Sequence, residues 1–242
     1  MRAFLINLDR NKARFEQACA QLDSLHIAYE RFPAVDGKAL SYQARNRHVA
    51  RFRARLARLN KLTPGEVGCT LSHLFIYKKM VEERIPIALI FEDDILLSRQ
   101  FPRALAKVSL SADVSKPQVF LFTWSQSQSI DVHDNCEFKI ARVPSALRAD
   151  AYVITLPAAK AIFNINYPVV TMNDWWGRWR RRNLIDLFRV VPTTSTQRQG
   201  EFTSDVTPHK SRALSGIRWV VWKMIRVPCV MLDWMLWILL RK

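Results

Sequence analysis

Cysteine is sparse and scattered. Cys19, Cys69, Cys136 and Cys229 make no CxxC pair, which argues against a zinc cage and supplies no disulfide framework. A reduced, cytoplasmic compartment is the expectation. Acids are also in deficit, 21 against 37 Lys and Arg, leaving a formal charge of +16. Such an excess draws anions of every kind, whether nucleic acid, acidic lipid or phosphorylated sugar. With neither zinc-finger spacing nor an RNA-recognition aromatic motif present, nucleic acid is not the expected partner. Long apolar runs are missing too. The stretch Ala3–Leu8 is too short for a signal-peptide core and has no cleavage-like site, so no export signal is expected. Val227–Leu240 is almost wholly apolar but is broken by Pro228 and Asp233, short of the roughly 20 residues needed to cross a bilayer. Internal repeats and low-complexity tracts are likewise absent.

What is present is a globular composition, 49% hydrophobic over 242 residues, enough for one substantial α/β domain. Short β-rich runs alternate with longer helical patterns, the rhythm of a sheet with helices on its faces. Strands are expected near Ala3–Leu8, Ile27–Phe32, Ile87–Phe91, Val119–Thr123, Tyr152–Thr155 and Phe188–Val191. Helices are expected near Arg10–Ser24, Glu66–Glu83 and Pro157–Asn164, and Ser125–Asn135 reads as a long loop. The catalytic domain is expected to span 1–212, with a membrane-associating tail at 213–242.

Two segments are basic and amphipathic. In Tyr42–Lys61, Val49, Phe52, Leu56 and Leu59 recur at helical spacing opposite Arg47, Arg51, Arg55 and Arg58. The second is Ile217–Val227, where Arg218, Lys223 and Arg226 oppose an apolar side and Trp219 and Trp222 intervene. With Trp234, Trp237 and a terminal Arg241-Lys242 it reads as an interfacial segment on an anionic membrane.

The strongest chemical signal is Ile87–Phe91 running into Glu92-Asp93-Asp94. Three adjacent acids repel one another, so a buried strand ending in them points to a compensating cation. Strand alternation puts Glu92 and Asp94 on one face and Asp93 on the other. Two carboxylates on one face can hold Mn²⁺ or Mg²⁺ and leave positions for diphosphate oxygens.

Four segments together resemble glycosyltransferase family 25, which includes lipopolysaccharide and lipooligosaccharide sugar transferases. They are Phe4–Arg10, Phe32–Gly37, Leu62–His73 (a Gly-Glu-x-Gly-Cys-x-Leu-Ser-His signature) and Leu89–Ile95. A fifth, Arg148–Ile154, matches less well, because the family commonly has Gly where this chain has Ala149 or Asp150. The resemblance implies a bacterial enzyme with a GT-A type nucleotide-sugar-binding, Rossmann-like sheet. It also implies a UDP-sugar donor, galactose above others, a divalent cation and inverting transfer to a lipopolysaccharide or lipooligosaccharide glycan.

Roles can be set out residue by residue. Asn7 and Asp9 at a strand end can hydrogen-bond a nucleotide or cap the next helix, while Arg10 or Arg14 balances phosphate. Asp36 before Gly37 can accept from a uracil or ribose group, although Asp-Gly is also a common turn pair. Asp93 joins the donor-binding set, and Glu92 and Asp94 are the metal ligands. Thr63 and Pro64 suit a helix start. By resemblance, Ser72 and His73 within that helix take a structural or donor-site role. Asp174 aligns with a late aspartate of the family pattern and has Trp175 and Trp176 beside it, which makes it the candidate base, with a helix N-cap as the competing use. Arg178, Arg180, Arg181 and Arg182 read as a phosphate-binding or solvated basic face, and nothing beyond its chemistry supports His209 as a further ligand. The rival to a peripheral inner-membrane transferase is a non-enzymatic basic adaptor for acidic membrane or nucleic acid, which leaves Glu92-Asp93-Asp94 without a purpose.

Overall fold

The computed structural model describes residues 1–50, 62–123 and 136–198. The segments Arg51–Lys61 and Ser125–Asn135 and the whole tail from 213 therefore lie outside the described residues, together with His209. In chain order the elements are β1 (Arg2–Asn7), α1 (Lys12–Ser24), β2 (Glu30–Pro33), α2 (Tyr42–Arg47), α3 (Pro64–Glu82), β3 (Ile87–Glu92), β4 (Ile95–Leu97) and α4 (Phe101–Ser111). They continue with β5 (Gln118–Leu121), β6 (Lys139–Arg142), β7 (Ala151–Thr155), α5 (Leu156–Asn166), α6 (Trp176–Arg181), β8 (Asp186–Val191) and β9 (Ser195–Gln197). Seven strands form one sheet in the order β2-β1-β3-β7-β5-β8-β6, and β4 pairs with β9 in a separate two-stranded sheet. Strands β2, β1 and β3 run parallel, β5 and β8 run parallel to each other, and β7 is antiparallel to both its neighbours. The result is a mixed α/β fold with a mainly parallel, Rossmann-like sheet. Among the described residues no helix is long and apolar enough to cross a membrane.

The inner strands are apolar at nearly every position because both faces are covered. Alternation then sorts their side chains into two cores. Phe4, Ile6, Ala88, Ile90, Val119, Leu121, Tyr152 and Ile154 pack with Leu71, Leu74 and Tyr77 of α3, Ile162 of α5 and Trp176 and Trp179 of α6. Ala3, Leu5, Leu89, Phe91, Phe120, Ala151 and Val153 pack on the other face with Leu22 of α1 and Phe101 and Val108 of α4. Every expected strand forms, but the second begins at Glu30 instead of Ile27, and α1 begins at Lys12 instead of Arg10. The short strands β4, β6 and β9 and helix α4 were not anticipated, although the buried Phe101, Ala104 and Val108 of α4 recur at helical spacing.

Helix α3 starts where its chemistry requires. Thr63 Oγ1 accepts from the Glu66 amide at 3.2 Å, and Glu66 Oε2 accepts from the Thr63 amide at 2.7 Å. This reciprocal capping box, followed by Pro64, satisfies amides that the first turn leaves open. The helix crosses the loop after β2 at backbone distance: a Cβ on Gly37 would lie 1.8 Å from the Pro64 carbonyl oxygen, and one on Gly68 would lie 2.4 Å from that of Val35. Ser72 pins the same crossing, donating to the Gly68 carbonyl at 2.8 Å and accepting from the Val35 amide at 2.9 Å.

Candidate functional site

Strands β1 and β3 end at one edge of the sheet, and antiparallel β7 enters there, so Asn7, Glu92 and Asp150 converge on one crevice. Ligands of open α/β sheets bind at such carboxyl ends. The Glu92 amide donates to the Asp150 carbonyl at 2.8 Å, which fixes this meeting. A cavity of about 250 Å³ opens there, lined among others by Asn7, Arg10, Arg14, Asp36, Gly37, Cys69, Ser72, His73, Glu92, Asp93, Asp94, Arg148, Asp150, Asn173, Asp174 and Gln197. Of the donor-binding, metal and catalytic candidates, Asp9 lies outside this lining, its exposed carboxylate paired with Arg31 at 2.5 Å, and so do Trp175, Trp176 and the basic run Arg178, Arg180, Arg181 and Arg182.

The acidic triplet is not a continuous strand. Strand β3 stops at Glu92, and Asp93 and Asp94 form the turn into β4, so the expected two-face alternation ends one residue early. Glu92 keeps the α3-facing side that its parity demands and meets His73 Nε2 at 3.0 Å. Asp93 and Asp94 instead share Arg14, whose Nε lies 3.1 Å from Asp93 Oδ1 and Nη2 2.7 Å from Asp94 Oδ2. Asp94 Oδ2 also accepts from Gln197 Nε2 at 2.6 Å, while Asp94 Oδ1 is buried without a hydrogen-bond partner.

Asn7 is committed as well. Its amide nitrogen donates to Asp93 Oδ2 at 2.7 Å and to the Asn11 carbonyl at 3.1 Å, and its oxygen accepts from Arg31 at 3.0 Å. Neither Asn7 nor Asp9 caps α1; Asn11 holds that position without a side-chain cap bond. Asp36 makes the turn its sequence suggests, accepting from the Lys38 and Ala39 amides at 3.0 and 3.3 Å, and its second oxygen pairs with Arg10. Asp174 is not the cap of α6, because Trp175 occupies that place. It lines the cavity instead.

Burial and crowding shape the charges here. Burial, then Asp94, Asp174 and Asp93, push the Glu92 carboxyl up to about 8. Burial and Glu92 push Asp150 up to about 7 against the pull of Arg148. Burial lowers His73 to about 4. The Cys69 thiol is pushed well up by burial and by the same acids. Ligand atoms of Cys69, His73 and Glu92 lie within 4.8 Å of one another, but the His73 nitrogen facing Glu92 is already hydrogen-bonded to it.

Sequence reading did not assign Asp150, Arg148 or Gln197 to the site. Arg148 pairs with Asp150 at 3.2 Å and donates to Gln197 Oε1 at 2.8 Å, closing a path to Asp94. Arg148 adopts φ 79, uncommon for a residue with a side chain, and its carbonyl accepts from the Trp176 indole at 2.7 Å. The one available signal was an acid at the mouth of the apolar run Tyr152–Thr155; Gln197, brought in by β4–β9 pairing, had none.

A model described as glycosyltransferase family 25 (LPS biosynthesis protein) matches residues 1–176. Among curated proteins, a glycosyltransferase 25 family member of Aedes aegypti is 36% identical over 108 residues, 43% of this chain and 18% of its own length. Mouse procollagen galactosyltransferase 2 is 34% identical over 119 residues, 48% of this chain and 19% of its own. The human procollagen galactosyltransferase 2 is 28% identical over 172 residues, 67% of this chain and 27% of its own. The chain thus matches less than a third of the length of these animal relatives. With a family match covering well over half its residues and all four of the motif segments around the cavity, the chain belongs to glycosyltransferase family 25.

Proposed function

We propose that this chain is an inverting glycosyltransferase of GT-A type that moves a sugar, galactose first among candidates, from a UDP donor to a glycan hydroxyl. The observation that carries the reading is one cavity at the carboxyl edge of the sheet into which Glu92, Asp93, Asp94, Asp150 and Asp174 converge. Support for galactose comes from the animal relatives, among them the mouse and human procollagen galactosyltransferases. A lipopolysaccharide or lipooligosaccharide acceptor rests on the description of the matching family.

The residues present fit a hard divalent cation, Mn²⁺ or Mg²⁺. All the candidate donors are carboxylates, Glu92 is crowded by its neighbours, and Asp94 Oδ1 is buried without a hydrogen-bond partner. Glu92 and Asp94 would hold the ion, which offsets charge growing on the leaving diphosphate. Arg10 and Lys38, which also line the cavity, would balance the phosphates, and Asp36 would accept from the ribose or uracil. Asn7, through Asp93, sets the floor on which the donor rests. Asp174 removes the proton of the attacking acceptor hydroxyl. Residues 217–242 place the enzyme peripherally on an anionic inner-membrane face; this part of the proposal rests on sequence pattern alone.

The test is calorimetry of UDP binding with and without Mn²⁺, followed by donor hydrolysis across a panel of UDP-sugars. Parent protein should bind UDP only with the cation, and Asp94→Asn should lose that dependence while keeping its circular dichroism spectrum. A protein that ignores UDP and cation alike is the basic adaptor instead.

A further inference from the structure

Behind the cavity a single file of buried side chains joins two of its walls. Asn173 Nδ2 lies 2.9 Å from Tyr77 Oη, Tyr77 Oη 2.7 Å from Tyr152 Oη, Tyr152 Oη 2.8 Å from His73 Nδ1, and His73 Nε2 3.0 Å from Glu92 Oε1. Asn173, Tyr77, Tyr152 and His73 are each no more than 2% exposed. Tyr77 and Tyr152 do not line the cavity, whereas Asn173, His73 and Glu92 do.

Two of these bonds leave the donor open, Tyr77–Tyr152 and Tyr152–His73. One order of hydrogens runs unbroken through the file: Tyr77 accepts from the Asn173 amide nitrogen and passes its own hydrogen to Tyr152, and Tyr152 donates to His73 Nδ1. A neutral imidazole accepting at Nδ1 carries its hydrogen on Nε2, and that hydrogen points at Glu92. Asn173 is itself held from behind, its carbonyl accepting from the Trp179 indole at 3.2 Å, and it adjoins Asp174.

We propose that Asn173, Tyr77, Tyr152 and His73 form a positioning relay that orients the Glu92 carboxylate as an acceptor and ties it to the segment carrying Asp174. Its catalytic consequence rests on the transferase reading; its hydrogen order does not. None of the two tyrosines touches the cavity, so both act through His73. Outer hydrogen bonds of this kind commonly set the orientation of the group that does the chemistry, and their loss costs about tenfold or more in function.

The experiment is ¹⁵N NMR of the histidine rings in the full chain at neutral pH, with His73→Gln identifying the resonances of His73. The parent should show the Nε2–H tautomer with a hydrogen-bonded Nδ1. In Tyr152→Phe the Nδ1 resonance should move to that of a nitrogen with no donor. In Tyr77→Phe, where Tyr152 keeps its hydrogen, the shift should be smaller and the Asn173 amide signals should move. A parent His73 carrying its hydrogen on Nδ1, or Tyr152→Phe leaving His73 unmoved, overturns the relay whether or not any sugar is transferred. Should Tyr152→Phe not fold, the parent tautomer and Tyr77→Phe decide alone. With a donor in hand and Mn²⁺ at saturation, both variants should lower kcat about tenfold at unchanged donor KM. An unchanged kcat in a variant whose His73 signals have moved overturns the positioning role. A parent that transfers nothing from any UDP-sugar defeats the transferase reading and leaves the NMR result standing.

Discussion

Arg14 on α1 spans the two carboxylates of the β3–β4 turn, 3.1 Å from Asp93 and 2.7 Å from Asp94. A helix that follows the first strand thereby neutralises acids that follow the third, and the turn closes over it. All three side chains are roughly nine-tenths buried. Removing the cation from such a cluster leaves buried charge without its partner, a cost of about 3 kcal/mol or more. Arg14→Gln should lower unfolding free energy by that order in EDTA. Mn²⁺ should recover part of the loss, as read by urea titration with and without the ion.

Gly37 is required for space, since its backbone does not adopt the left-handed region. A methyl group there would overlap the Pro64 carbonyl and sit 2.8 Å from the Gly68 amide nitrogen, both backbone atoms. Gly37→Ala should cost about 2 kcal/mol through displacement of the start of α3. It should also weaken UDP binding by shifting Asp36. A melting curve matching that of the parent protein would show that the loop yields without strain.

Asp174→Asn keeps size and removes basicity. Transfer should fall by about 10²- to 10⁴-fold with donor affinity nearly unchanged, the signature of a group acting in the transition state. Steady-state kinetics beside UDP calorimetry separates this from general damage to the site.

Stability should depend on pH through the cavity. Glu92, raised from 4.5 to about 8, and Asp150, raised from 3.8 to about 7, bind protons more tightly folded than unfolded, so their stabilisation is complete at low pH and is lost progressively as pH rises from the ordinary carboxylate range to 7 for Asp150 and 8 for Glu92. His73, lowered to about 4 from 6.5, works oppositely and loses its contribution as pH falls from 6.5 towards 4. Cation-free protein should therefore become less stable between about pH 6.5 and 8.5, where only the acids titrate. Glu92→Gln should flatten that slope in denaturant titrations at stepped pH.

Removal of residues 217–242 should release the protein from acidic liposomes without loss of donor hydrolysis. Arg218, Lys223 and Arg226 each gain about 1 kcal/mol near an anionic surface, so binding of the full chain should weaken with salt. A residual salt-resistant part should come from apolar insertion. Flotation of the truncated chain like the parent, or its unfolding, would remove the anchor.

The alternation of apolar residues in β1, β3, β5 and β7, the Thr63–Glu66 cap and the run into Glu92-Asp93-Asp94 were all legible along the chain, because each is decided by neighbours within a few residues. That local legibility placed Asn7, Arg10, Asp36, Glu92, Asp93 and Asp94 at strand ends and turns, and the sheet brought them to one crevice. Strand parity holds as far as Glu92, which shares its face with Ala88 and Ile90 and meets His73 there. Parity failed one residue later because alternation holds only while the backbone stays extended, and the turn at Asp93 let Arg14 draw both acids to one guanidinium. Asp9 shows the same limit, since position at a strand end does not say whether a side chain points into the crevice or into solvent. Gln197 and the file from Asn173 to Glu92 belong to tertiary structure alone. Their partners lie 19 to 103 residues apart in the chain, and no local periodicity records a contact made only when an antiparallel strand, a helix and a distant loop close on the same edge of a sheet.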